Sequence, residues 1–168
     1  MISVQNCKII SKTKQGQAFD YRLENNEIAS LATAGQFVNL RAAGFTLRRP
    51  ISICEIDKQA GSFRIVFEVR GEGTEKLAEK NVGEFFDILG PLGHGFELLA
   101  SDKKALLVGG GIGVPPLLEL AKQFGKNAVT ILGFRSAANV ILQPDFEAAA
   151  GKTTVCTDRK STRLNSSH

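Results

Sequence analysis

Four short segments hold the residue types that chemistry needs: Arg48-Arg49-Pro50-Ile51-Ser52-Ile53, Gly71-Glu72-Gly73-Thr74, Gly90-Pro91-Leu92-Gly93 and Val108-Gly109-Gly110-Gly111-Ile112-Gly113. An arginine next to a proline at a strand start sets a planar, permanently charged fork beside a strand edge, which suits a pyrophosphate. Arg49 is favoured over Arg48, because the Arg-x-x-Ser spacing to Ser52 keeps both side chains near one ligand. Taken alone, Arg-Arg-Pro is more simply a pair of solvated edge charges.

Gly71-x-Gly73-Thr74 precedes a short helical stretch, so its free amides and the positive end of the helix dipole suit an anion, and glycine permits close approach. Its plainer reading is turn chemistry with Thr74 as helix cap. Gly109 to Gly113 lies between an apolar strand and a helix, the place of the first turn of a dinucleotide-binding unit. It departs from G-x-G-x-x-G, which would need glycine at Val114 or Pro116. Pro115 and Pro116 stand where a helix begins and a missing amide costs little. Gly151-Lys152-Thr153 looks like the end of a P-loop, but the required earlier glycine is Phe146. His94 and His168 have no partners at metal or triad spacing, and no nucleophile pattern appears. Hydride transfer needs none, since cofactors bring the reactive atoms and the protein brings position and field.

Two kinds of element must position these segments. From Ser3 to Leu89 apolar residues alternate with polar ones, as in Phe63-Arg64-Ile65-Val66-Phe67-Glu68-Val69, whose odd-numbered members share a face. Runs at Val4 to Ile10, Phe19 to Leu23, Gln36 to Arg41, Pro50 to Ile56 and Glu84 to Leu89 complete six strands, predicting a small antiparallel barrel interrupted by one helix at Glu75 to Lys80. Beyond Asp102 the pattern becomes strand Ala105 to Val108, helix Pro115 to Phe124, strand Val129 to Leu132, helix Phe146 to Ala150 and strand Thr153 to Thr157, hence a parallel sheet. The fold expected is a two-domain one: a six-stranded Greek-key β-barrel over 1–100, then a truncated α/β nucleotide-binding domain over 101–158.

The 168 residues, 43% hydrophobic, can bury a core. The formal charge of +4 invites a nucleic-acid reading, but Arg159, Lys160 and Arg163 in the last ten residues supply most of it. The body keeps 18 basic against 17 acidic residues, so no basic stripe is left for a phosphate backbone. Cys7, Cys54 and Cys156 are odd in number and widely spaced, which argues against disulfides and zinc and for a reducing cytoplasm. No apolar run reaches membrane-span length and the start lacks signal-peptide features. Residues 159–168 are polar, with one large apolar side chain, and the natural frame is expected to end near Asp158 with a foreign tail after it.

As an ordered set, the four segments with Gly35-Gln36-Phe37-Val38 before them and Val114-Pro115-Pro116-Leu117 after them resemble the ferredoxin-NADP reductase superfamily. Within it they are most similar to the electron-transfer subunits of NAD-dependent, type B dihydroorotate dehydrogenases. The resemblance covers residues 1 to about 158 and implies a flavin barrel followed by a nucleotide domain. It implies that Arg49, Pro50, Ile51 and Ser52 form the flavin motif, with Ile51 where the superfamily often has tyrosine. Val66, Phe67 and Glu68 would line the isoalloxazine, and Gly73 and Thr74 the FAD phosphates. Gly109, Gly110, Gly111, Ile112 and Gly113 would face NAD.

The resemblance also implies an FMN-containing catalytic subunit as partner and a [2Fe-2S] centre, whose C-terminal cysteine cluster this sequence lacks. A chain cut at that point is expected to hold flavin poorly. The function expected is transfer of electrons from dihydroorotate, through [2Fe-2S] and FAD, to NAD. Other readings are a flavin reductase or ferredoxin-NADP oxidoreductase subunit of the same superfamily, and a non-catalytic docking barrel. Arg135 alone does not decide between NAD and NADP.

Overall fold

The structure, a computed structural model, describes residues 2–98, 100 and 102–158. The tail 159–168, with His168, lies outside the described residues. Six strands, β1 (Ser3–Gln15), β2 (Ala18–Glu24), β3 (Phe37–Arg41), β4 (Arg49–Asp57), β5 (Ser62–Glu68) and β6 (Phe85–Leu92), close a barrel in the order β1-β2-β5-β4-β3-β6, with every neighbouring pair antiparallel. The period of two explains the core: Cys7 and Ile9, Tyr21 and Leu23, Val38 and Leu40, Phe63 and Ile65, and Phe86 and Ile88 all point into one buried cluster.

Two short helices interrupt the strands, one more than the sequence suggested. Helix α1 (Asn26–Leu31) was unforeseen because six residues are too few to display a helical period. Its start is fixed by Asn25, whose side chain accepts from the Ile28 N–H at 2.9 Å, and it buries Ile28 and Ala29. Helix α2 (Glu72–Ala78) begins three residues before the expected Glu75 and drives Leu77 and Ala78 into the barrel end. The Tyr21 hydroxyl donates to the Lys80 carbonyl at 2.8 Å, and Lys12 Nζ to that of Ala78 at 2.7 Å, so the far end of α2 is tied to β1 and β2.

The second layer is a parallel sheet, β7 (Ala105–Gly110), β8 (Ala128–Phe134) and β9 (Lys152–Thr157), in sequence order. Helix α3 (Leu118–Phe124) is shorter than the expected Pro115 to Phe124, because Pro115–Leu117 forms a 3-10 turn before it. Helix α4 (Gln143–Ala149) starts earlier than Phe146.

The two layers share a core. Ala18, Cys54 and Val66 of the barrel are buried in one cluster with Val114, Leu118, Ala121, Leu142 and Phe146. That corrects the expectation for β5: both its faces are buried, Arg64 and Val66 on one and Phe63 and Ile65 on the other, and Val69 lies beyond its end, exposed. Burial of Cys54 pushes its thiol well above the ordinary range, and Cys7, also buried, is pushed up to about 12, so neither is a nucleophile.

Candidate functional site

Strand β4 pairs with β3 from its first residue, Leu40 opposite Arg49 through Phe37 opposite Ser52, but with β5 only from Ile53 opposite Ile65 onward. Val66, Phe67 and Glu68 pair on their other side, with Asp20, Phe19 and Ala18 of β2. The barrel wall is therefore parted between Arg49–Ser52 and Val66–Glu68, and main-chain groups on both lips lack a ladder partner across the gap. Pro50 tolerates such an edge because it has no N–H to satisfy.

What the lips offer is largely main chain. The Val66 side chain is buried among the second layer, and Phe67 stacks on Tyr21 with centroids 5.7 Å apart. Glu68 is ion-paired to Arg70. In an extended strand residues three apart point to opposite sides, so the Arg49 and Ser52 side chains share no face of β4, and the Arg-x-x-Ser spacing does not by itself bring them to one ligand.

The neighbouring arginines are divided in use. Arg48 bonds Asp87 Oδ1 at 2.7 Å and the carbonyls of Asn39 and Asp87 at 3.2 Å each, which ties it to the barrel wall. Arg49 donates to the Leu47 carbonyl and lies 5.2 Å from the centre of the Phe45 ring. Its guanidinium rests against the start of α2, where a Cβ placed on Gly73 would stand 2.5 Å from both Nε and Nη2. Thr74 braces the same turn: its hydroxyl accepts from the N–H groups of Arg70 at 2.8 Å and Gly71 at 3.1 Å and donates to the Gly71 carbonyl at 2.9 Å. With that side chain committed, the first-turn amides are what residues 73 and 74 can present to an anion. A fixed cation thus stands over glycine amides at one end of the parted wall, a donor set that fits a diphosphate.

The glycine run divides similarly. Gly109 and Gly110 belong to β7, opposite Leu132 and Gly133, and a Cβ on Gly109 would come within 2.8 Å of Leu117, so that glycine serves strand–helix packing. The turn proper is the 3-10 segment Gly111–Gly113. Gly111 has φ +52°, and side chains at Gly111 and Gly113 would meet nothing within 4 Å, leaving backbone open at the carboxyl end of a parallel strand. This turn packs against β5 and the Pro115–Leu117 turn against β4, so the glycine turn lies beside the two strands that carry the lips of the parted wall. Gly90-Pro91-Leu92 is the end of β6, His94 is exposed, and Arg135 is exposed beyond β8.

An ionic network spans the two layers. Arg64 holds Asp20 through Nε at 2.8 Å and Nη2 at 2.6 Å and reaches Asp145 at 2.8 Å. Glu55 pairs with Arg22 and lies 3.7 Å from Lys122. Burial opposes ionisation of Glu55, but the Arg22 hydrogen bond and the charges of Arg22, Lys122 and Arg64 outweigh it and hold the carboxyl below its ordinary range. Sequence reasoning missed this network and Phe45: the charged members sit singly in alternating strands, and Phe45 sits in a loop without periodicity.

No protein-family model matches the chain. It is 42% identical to the dihydroorotate dehydrogenase B (NAD(+)) electron transfer subunit of Geobacillus thermodenitrificans, over 94% of this chain and 65% of that one. It is 39% identical to the subunit of the same name from Fusobacterium nucleatum, over 93% of this chain and 63% of that one. The chain thus spans somewhat less than two thirds of these relatives' length. Among solved structures, an NADH-dependent reduced ferredoxin-NADP oxidoreductase superposes with TM-score 0.82 at 30% identity, covering 90% of this chain and 56% of the other. Phthalate dioxygenase reductase superposes with TM-score 0.74 at 21% identity, covering 93% and 52%, and bears on the fold.

Proposed function

We propose that this chain, which over the part it spans belongs to the family of dihydroorotate dehydrogenase B electron transfer subunits, binds FAD in the parted barrel wall and NAD at the glycine turn. Residues 1–100 form the FAD-binding part and 101–158 part of the NAD-binding one. Arg49 and the amides of Gly73 and Thr74 neutralise the diphosphate. Pro50, Ile51 and Ser52 line one side of the ring system, and the main chain of Val66, Phe67 and Glu68 the other. Gly111, Ile112 and Gly113 approach the nicotinamide nucleotide, with Gly109 and Gly110 behind them. When bound, the flavin supplies two-electron exchange with nicotinamide and one-electron exchange with a metal centre. The chain's own part is to orient, to neutralise and to exclude water between the wall and the turn.

In the whole protein this activity would carry electrons from dihydroorotate, oxidised on an FMN-containing catalytic subunit, to NAD in pyrimidine biosynthesis. Among the described residues no group of three or more His, Cys, Asp or Glu is placed to hold a metal ion, so they do not fit a [2Fe-2S] centre and no step is assigned to one. A cytoplasmic location goes with this reading, since Cys7, Cys54 and Cys156 are free thiols.

The observation that carries the reading is the Arg49 guanidinium seated on Gly73 at the end of the parted wall. The full-length protein purified with FAD is expected to be yellow, and Arg49→Ala to weaken flavin binding at least about tenfold, the worth of one charged hydrogen-bonding partner. A colourless wild type, or an Arg49→Ala variant with unchanged flavin affinity, overturns it.

A further inference from the structure

We propose that Asp20, with the two side chains it holds, is a positioning device that fixes how the parallel-sheet layer presents its Gly111–Gly113 turn to the parted wall. The proposal rests on the reading above. Asp20 is 6% exposed, and both its carboxylate oxygens are engaged: Oδ1 accepts from Arg64 Nε at 2.8 Å, Oδ2 from Arg64 Nη2 at 2.6 Å and from Gln15 Nε2 at 2.8 Å. Both partners then cross to the other layer. Arg64 Nη1 donates to Asp145 Oδ1 at 2.8 Å, and Gln15 Oε1 accepts the Leu142 N–H at 2.9 Å. One buried carboxylate therefore directs two arms, and both arms grip the start of α4.

That point is also strained. Leu142, the residue before α4, has φ +60°, the left-handed region that a branched side chain avoids. Such a conformation persists where surroundings over-determine it, and the Gln15 bond together with full burial of Leu142 does so. On the barrel side, Asp20 pairs directly with Val66, and Arg64 is two residues before Val66 on the same face of β5. The next residues of that strand are the lip of the parted wall. On the other side α4 packs on α3, which follows the glycine turn. A bidentate fork has one permitted geometry, whereas apolar layers slide, so the polar bridge contributes register more than stability. Neither Asp20 nor Arg64 belongs to the lips of the parted wall or to the glycine turn, so they act through what they hold.

The test is Asp145→Asn in full-length holoenzyme, which keeps the shape and weakens the far end of one arm. Flavin content and the KM for NADH are expected to hold within about twofold while kcat for reduction of bound flavin by NADH falls about tenfold or more, as misplacement of reactants does. Asp145→Glu should recover part of that loss. Unchanged kcat in Asp145→Asn, or a kcat that falls only with flavin content, overturns the proposal. If wild-type flavin is not reduced by NADH, the functional reading fails instead. Amide exchange in Gln15→Ala then decides: faster exchange over 140–146 with β3 unchanged supports the bridge, and unchanged exchange over 140–146 overturns it.

Discussion

The guanidinium of Arg49 fills the space that a side chain at position 73 would occupy, 2.5 Å from where its first carbon would stand. Helix start and cation are thus fitted to one another through the absence of a side chain. Gly73→Ala should push the guanidinium off the helix and lower flavin affinity about tenfold, while stability of the flavin-free protein changes by no more than about 1 kcal/mol, since alanine favours the helix. Flavin fluorescence titration beside a denaturant melt checks both, and unchanged affinity would show that the two residues do not share a ligand.

Arg48 and Arg49 should separate experimentally. Arg48→Ala removes the Asp87 ion pair and two carbonyl bonds, so it should cost about 1–3 kcal/mol of stability with flavin affinity kept. Arg49→Ala should do the reverse, and urea denaturation with equilibrium dialysis of FAD would read the contrast.

Tyr21 is fully buried with its hydroxyl on the Lys80 carbonyl. Tyr21→Phe leaves that carbonyl without its partner and should lower stability by about 1–2 kcal/mol. The ring and its stacking on Phe67 are kept, so a urea melt of the variant should show one cooperative transition at a lower midpoint, and an unchanged midpoint would show that the hydroxyl bond contributes nothing.

The Glu55 pair predicts a pH dependence whose sign is fixed. Its folded-state carboxyl titrates below the ordinary 4.5, so the unfolded chain takes up the proton first as pH falls. The stabilisation is complete above pH 4.5 and is lost as pH drops through the lower folded value. Melting of wild type and Glu55→Gln at pH 7, 5 and 3 should converge toward the acid end; a constant gap would show that Arg22 does not perturb this carboxyl.

The barrel was legible because its strands alternate: Cys7, Ile9, Leu23, Leu40 and Ile88 mark the inner face without help from structure. The parallel sheet was legible as continuous apolar runs such as Ala105 to Val108. Helix α1 was not, since its cap and two buried residues show no period, and neither was the second buried face of β5, which exists because another layer covers it. At the site, glycines and an arginine could be read as anion chemistry, but which arginine is free of the wall depends on Asp87, a neighbour through strand pairing alone. The division of the glycine run into packing and open turn was likewise hidden, because it is decided by Leu117.

The uneven fastening of α2 has a mechanical outcome. One tip is riveted by Tyr21 and Lys12, while the other is braced by a single threonine hydroxyl beside glycines. If the first-turn amides take an anion as proposed, any adjustment of this short helix should fall at the glycine tip, since the opposite tip is held to two strands of the barrel.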